Sequence, residues 1–320
     1  MTSRTLEDPN VTKDGEGPGE LWNGVGHAGR CAHQPLQPSR RTGGGRARAG
    51  RGGAAAEAAG VSWLSVMDHY FQMEFNGGAE DAMLEAYTTL GFLAGHTSTV
   101  RLGALVTGVT YRNPGLLAKI ATTLDVLSGG RATLGIGAAW YDRGAPRSRC
   151  ALSARRGAFR AAGGDPADLS RRCGTRRPTV PSRASTTGSR ETLCVPAPVS
   201  SPHPEIMIGG SGEKKTLRLV AQYADACNLI VSTPDELRHK LEALRGHCDR
   251  LGRDYDRIRK TIVHTGESVT TGDLDAFLRE IGGFTKLGVD TVILGPRTGE
   301  PAEWIERFVA PAVPRLAELD

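Results

Sequence analysis

A (β/α)8 barrel, a TIM barrel of the α/β class, is the fold that the sequence predicts, and three observations predict it. Short apolar runs alternate with amphipathic helical stretches from Val61 onward, the pattern of parallel strands covered by helices. Seven such runs can be marked off, too many and too evenly spaced to favour an open doubly wound sheet. A chain of 320 residues suits one barrel domain.

The first run is "VSWLSVMD", from Val61. Asp81 to Leu93 follows with Leu84, Tyr87, Leu90 and Leu93 at helical spacing. Val100 to Val109 is the second strand. Asn113 and Pro114 then read as an N-cap and first helical residue. Leu116, Leu117, Ile120, Leu124 and Leu127 form the expected buried stripe, and Gly129-Gly130 ends the helix. Ala132 to Trp140 is the third strand. Glu205 to Gly210 is the fourth, with a helix expected from about Glu213 to Tyr223. "ACNLIV" is the fifth. Thr233 and Glu236 read as a capping box before a helix lined by Leu237, Leu241, Leu244 and Leu251. "KTIVHTGESV" and "TVILG" are the last two strands, separated by a helix with Phe277, Ile281 and Phe284. A final helix starts at Pro301 and carries Trp304, Ile305 and Phe308.

Two segments break the pattern. Residues 1–55 show no strand or helix period and almost no large aliphatic side chains, so they cannot offset their ordering entropy. Residues 142–190 hold about a dozen Arg and no Lys or Glu. Flexible segments, Arg-rich nucleic-acid binding and out-of-frame translation of a GC-rich gene are the readings weighed, and the last is favoured. The expected domains are therefore a disordered or out-of-frame segment 1–55 and a barrel over 56–320, interrupted at 142–190. The first strand and the segment after strand four of the barrel are expected to be lost or disordered. A barrel lacking a strand exposes two edges, so weak cofactor binding is expected of the chain as written.

Composition excludes several classes. The net charge of +5 is concentrated in the Arg-rich segments, and too few aromatics accompany them for nucleic-acid binding. Six cysteines form no CxxC pair, so neither a metal site nor a disulfide framework is expected. No apolar run reaches 18 residues and no secretory leader is read; a cytoplasmic protein with no membrane partner is expected.

At "SVMDHY", "LGALVTGVTYRNPGLLAKIATTLDVLSGGRATLGIGAAWY" and "IMIGGSGEKKTLRLVAQYADACN" the chain resembles the luciferase-like monooxygenase superfamily. The group most like it uses the deazaflavin coenzyme F420. The resemblance covers roughly 56–141 and 191–320. It implies an enzyme that transfers hydride between coenzyme F420 and an organic substrate. The alternatives are an FMN-dependent monooxygenase, a non-catalytic product of a frameshifted gene, and an Arg-rich nucleic-acid-binding protein. Nothing in the sequence separates coenzyme F420 from FMN. A small-molecule substrate is expected, and a homodimer is left open.

Barrel enzymes place their sites at the C-terminal ends of the strands. Asp68 and His69 lie at such an end, and the resemblance makes them the catalytic candidates, His69 as donor or as acid/base near neutral pH. Thr107, Gly108 and Val109 end the next strand, where the resemblance implies a non-prolyl cis peptide behind the cofactor ring. Gly137, Ala138 and Ala139 offer small residues for close cofactor approach, with Trp140 at the mouth. Asp142 stands where such proteins usually carry Glu. Gly209, Gly210, Ser211 and Gly212 form a glycine-rich strand-to-helix turn, an anion site by its free N–H groups and, by resemblance, the phosphate site. Lys214 and Lys215 are read as solvent-facing, and His264 as a core or rim histidine.

Overall fold

The apolar runs pair into a ring because each strand, buried on both faces, needs two neighbours for its backbone groups. The structure, a computed structural model, describes residues 45–74, 77–138, 194–295 and 300–319, together with the backbone of Val25–His27 and Arg30–His33. In chain order the strands are β1 (Val25–His27), β2 (Arg30–His33), β3 (Trp63–Val66), β4 (Arg101–Ala104), β5 (Thr107–Gly108), β6 (Ala132–Gly137), β7 (Glu205–Gly209), β8 (Ala226–Leu229), β9 (Arg259–Val263) and β10 (Thr291–Ile293). From β3 to β10 neighbouring strands run parallel. The ring closes where β4 pairs with β6, Leu102 opposite Ala132. Gly103 allows that crossing: a Cβ there would lie 2.6 Å from the Thr133 carbonyl oxygen and 3.2 Å from Trp63 Nε1.

The slot expected to lack a strand is occupied. β1 pairs antiparallel with β10 at Gly26 and Val292, and with β2. β2 runs parallel to β3, Ala32 opposite Trp63. Two short strands thus cover the edges that an incomplete barrel would expose, and the ground for expecting weak cofactor binding falls away.

The expectation of no helix before Ala56 is likewise corrected: α1 spans Gly45–Ala58. Its buried face is Ala49, Gly52, Gly53 and Ala56, which carries no large stripe for a periodicity reading to find. Smallness lets it approach closely, since a Cβ on Gly53 would meet Leu93 Cδ2 at 3.3 Å. At its end Glu57 Oε1 accepts the N–H groups of Ser98 (2.8 Å), Thr99 (2.5 Å) and Val100 (2.9 Å), and the Thr99 hydroxyl. The remainder of 1–55 and all of 142–190, with the frameshift reading that concerns them, lie outside the described residues.

The other helices are α2 (Ala86–Ala94), α3 (Pro114–Leu127), α4 (Thr216–Tyr223), α5 (Pro234–Leu251), α6 (Glu267–Thr271), α7 (Leu274–Thr285), α8 (Pro301–Trp304) and α9 (Ala310–Leu316), the last two joined by a π-turn at Ile305–Val309. Asn113 caps α3 through the Gly115 N–H at 2.9 Å, as read. Thr233 caps α5 through the Glu236 N–H at 3.2 Å, but the Glu236 carboxylate reaches the N–H of Ser232, one residue early. Helix α2 starts at Ala86 and not at Asp81, because Glu85 caps it through the Thr88 N–H. α4 starts at Thr216, beyond the expected Glu213. The strand expected through Val269 stops at Val263, and α6 takes its end. Leu116, Leu127 and Leu251 prove exposed. Among the described residues no helix is long and apolar enough to cross a membrane.

Trp63, Leu64, Leu102, Leu134, Ile136, Ile206 and Ile208 centre the core, each at most 2% exposed. At the N-terminal end of the barrel Glu205 binds Arg259 Nη2 at 2.8 Å, Thr133 Oγ1 at 3.1 Å and Arg101 Nη2 at 3.3 Å. One carboxylate thereby joins β4, β6, β7 and β9 at the end opposite the candidate site.

Candidate active site

Because the strands from β2 through β10 around the ring, β1 excepted, share one direction, their C-terminal ends fall on one side. Asp68 and His69 follow β3, Thr107 to Val109 extend β4, Gly137 and Ala138 end β6, and Gly209 to Gly212 follow β7. The structure brings these groups to the same end of the barrel. Ala139, Trp140 and Asp142 lie outside the described residues.

Asp68 is buried, and its carboxylate takes both Nη groups of Arg112, at 2.5 and 2.8 Å. The same guanidinium bonds Glu85 Oε1 at 2.6 Å and lies over the Tyr87 ring, 5.0 Å from its centroid. Burial pushes the Asp68 carboxyl up and Arg112 opposes it. Burial pulls the guanidinium down, but its bonds to Asp68 and Glu85 outweigh that and keep it charged. A carboxylate held at both oxygens is a positioning group, so Asp68 anchors the strand end that carries His69. Desolvation lowers the His69 pKa from 6.5 to about 4. The expectation of an imidazole titrating near neutrality is corrected: at pH 7 it is neutral, a hydrogen-bond donor from one nitrogen and an acceptor at the other.

The long second strand divides into β4 and β5 at Leu105-Val106, which is the non-prolyl cis peptide. It lies two residues before the expected Thr107–Val109 position. Thr107 is fully buried and shares a 2.6 Å hydrogen bond with the Tyr87 hydroxyl, so its hydroxyl is spent inside the protein. The Val109 N–H donates to the Gly137 carbonyl at 3.0 Å. The small residues of β6 and β7 first of all admit Val106. A Cβ on Gly137 would lie 2.4 Å from Val106 Cγ2, and one on Gly209 3.0 Å from Val106 Cγ1. Val106 therefore forms an apolar floor between the ends of β6 and β7.

The turn after β7 has the form an anion needs. Gly210 has φ of +121°, a conformation that side chains other than hydrogen rarely allow. Its N–H is used by the Asn228 carbonyl at 2.9 Å. The Ser211 hydroxyl bridges the Ile230 carbonyl and N–H, both at 2.8 Å, so this side chain pins the turn to the end of β8. Lys215, at the N-cap of α4, makes no capping bond. The N–H groups of Ser211 and Gly212 have no partner among the described residues. Lys214 and Lys215 are exposed, as read. His264 Nε2 pairs with Glu280 at 2.9 Å, a carboxylate that also accepts from Ser268 Oγ at 2.6 Å; this is a rim cluster spent on itself. Among the described residues no group of three His, Cys, Asp or Glu could hold a metal ion.

Sequence reasoning missed Arg112, Tyr87, Glu85 and Val106. Arg112 stood inside the quoted "TYRNP" run, and a cation just before a helix cap, in an otherwise apolar stretch, was the available signal for a partner to Asp68.

Known proteins share this fold. Phthiodiolone/phenolphthiodiolone dimycocerosates ketoreductase of Mycobacterium tuberculosis is 33% identical over 186 residues, covering 54% of this chain and 45% of that protein. The chain spans about half the length of the curated relatives it matches. The coenzyme F420 dependent tetrahydromethanopterin reductase of Methanopyrus kandleri superposes with a TM-score of 0.62 at 15% identity, covering 88% of this chain and 97% of the other. An F420-dependent secondary alcohol dehydrogenase bound to an F420–acetone adduct gives 0.62 at 14% identity, covering 84% and 94%. At those identities the two structures establish the fold. The model of the luciferase-like monooxygenase family matches residues 30–275, and the chain belongs to that family.

Proposed function

We propose that the chain binds coenzyme F420 and passes hydride between it and the carbonyl or carbinol carbon of an organic substrate. The observation that carries this is the shared end of the barrel at which three features lie: His69, the Val106 floor and the N–H groups after β7 that have no partner among the described residues. The residues fit such a group. The N–H groups of Ser211 and Gly212 and the start of α4 would hold a phosphate, with Gly210 shaping the turn, and Val106 would lie against a flat ring. The bound coenzyme supplies the hydride; the protein supplies position and electrostatics. His69 donates a hydrogen bond to the substrate oxygen and polarises the carbonyl, and the proton that completes the carbinol comes from water. Asp68, locked by Arg112, fixes the segment from which His69 projects. The ketoreductase activity named for the curated relatives and the secondary alcohol dehydrogenase favour a carbonyl–carbinol pair as substrate.

The test is a fluorescence titration of the purified chain with coenzyme F420, beside one with FMN. Saturable binding of coenzyme F420, lost in Gly210→Val, is the expected result. Binding of FMN alone would move the reading to an oxygen-activating monooxygenase. A folded protein that binds neither would overturn it.

A further inference from the structure

Glu213 follows Gly212, the last glycine of the turn after β7, so it stands next in the chain to the N–H groups assigned above to a phosphate. An unpaired carboxylate in that place would repel an anion. The structure pairs it. Lys240 Nζ on α5 donates to Glu213 Oε1 at 2.6 Å, and this bond holds the Glu213 carboxyl below the usual carboxylate range. His239 Nε2 lies 3.2 Å from the same oxygen, but its side chain is 63% exposed against 18% for Lys240. The ammonium is the better-held partner.

The same helix grips the backbone of Glu213. His247 Nε2 bonds the Glu213 carbonyl at 2.8 Å, and Arg250 Nη2 bonds His247 Nδ1 at 2.9 Å. A carbonyl only accepts and a guanidinium only donates, so the ring proton sits on Nε2. Lys240 and His247 lie about two helical turns apart and share one face of α5. Across a trans peptide the N–H points opposite to the carbonyl. The Lys214 N–H, in the peptide that His247 holds, therefore faces away from α5, and it has no partner among the described residues. The turn is thus held from two sides, by Ser211 at the end of β8 and by α5.

We propose that Lys240 and His247 are positioning residues of the coenzyme's phosphate site, both acting through Glu213. Lys240 draws the Glu213 carboxylate toward α5 and cancels its charge. His247 fixes the peptide that presents the Lys214 N–H as a further donor to the anion. This rests on the cofactor reading above, and the experiment separates the two.

Inorganic phosphate and coenzyme F420 are titrated separately into the full chain by calorimetry. Lys240→Met leaves Glu213 unpaired and is expected to weaken phosphate about ten-fold, the scale of one like charge at short range in partly exposed surroundings. Lys240→Arg keeps the cation and should bind as the parent does. Lys240→Met combined with Glu213→Gln removes both charges and should regain the parent affinity to within about two-fold. His247→Phe should weaken phosphate, and His247→Gln, which can still donate to the carbonyl, should restore it. The urea midpoints of the Lys240 variants should match the parent, since exposed pairs contribute little stability. Parent-like phosphate binding by Lys240→Met, or a double variant no better than Lys240→Met, would overturn the proposal. A parent that binds phosphate but not coenzyme F420 sinks the coenzyme reading and leaves the clamp to stand on the phosphate ratios; a parent that binds neither overturns both.

Discussion

Arg112→Met tests whether the Asp68 pair organises the candidate site. The Asp68 side chain is 4% exposed and that of Arg112 9%, so the pair is shielded from water. Removing the guanidinium leaves a buried carboxylate without its cation, which costs about 3–5 kcal/mol. The bond to Glu85 adds little, since that side chain is 46% exposed and such pairs are worth at most about 1 kcal/mol. Burial already raises the Asp68 pKa against Arg112, and without Arg112 it rises further. A raised native pKa gives stability that is present below the unfolded value, about 3.9, and lost as pH rises through the native one. The penalty of Arg112→Met should therefore be larger at pH 8 than at pH 5. Urea unfolding at both pH values measures it. The double variant with Asp68→Asn should recover at least half of the loss, because a neutral amide needs no cation. A cost below about 1 kcal/mol at pH 8, or the same cost with and without Asp68→Asn, would refute the reasoning.

His69→Asn removes a group whose native pKa is lowered from 6.5 to about 4 by burial. The neutral histidine contributes stability above pH 6.5 that is lost as pH falls toward 4, about 3 kcal/mol in all; thermal melts from pH 7.5 to 4.5 should show a flatter profile for the variant. Glu205→Ala leaves Arg101 and Arg259 facing each other and should cost about 3 kcal/mol, read by urea midpoint, while cofactor titration at the opposite end of the barrel should be unaffected. Glu57→Gln weakens the anchor of α1. The Glu57 pKa falls from 4.5 to about 2, because its bonds to the N–H groups of Thr99, Val100 and Ser98 outweigh burial. Its contribution is present above pH 4.5 and lost toward pH 2, and solvent screening reduces it to about 1 kcal/mol; hydrogen exchange over 45–58 should quicken at pH 7.

Strands were legible because burial on both faces writes them as continuous apolar runs, "ATLGIG" and "EIMIG" among them. Caps were legible at Asn113 and Thr233, where one side-chain oxygen and one N–H settle the boundary. Boundaries set by a longer reach were not. Glu85 caps α2 with a carboxylate that also serves Arg112, and helical spacing from Asp81 ran through it. Leu116 and Leu127 fit the stripe of α3, yet the face that turns inward is Leu117, Ala118, Ala121, Leu124 and Asp125. Asp125 is buried there because it accepts the Ser200 N–H at 2.8 Å and hydroxyl at 2.7 Å, a contact across 75 positions that no local pattern announces. The same holds for the site. Asp68 and His69 could be placed at a strand end, but the neutrality of one and the clamping of the other arise from distant residues.

α1 shows what the barrel requires of a covering helix. Its composition predicts no helix, since glycine costs about 1 kcal/mol per position relative to alanine, and a run made of Gly, Ala and Arg with one Glu offers little apolar surface to bury. It is held instead by what surrounds it: Ala49 and Ala56 packed into the common core, Glu57 bound to three successive N–H groups at the start of β4, and Arg48 paired with Glu300 at 3.3 Å. Close approach and a single anchoring carboxylate substitute for a leucine stripe. The same substitution gives up apolar contact area, and a groove of about 840 Å3 stays open between α1 and α2.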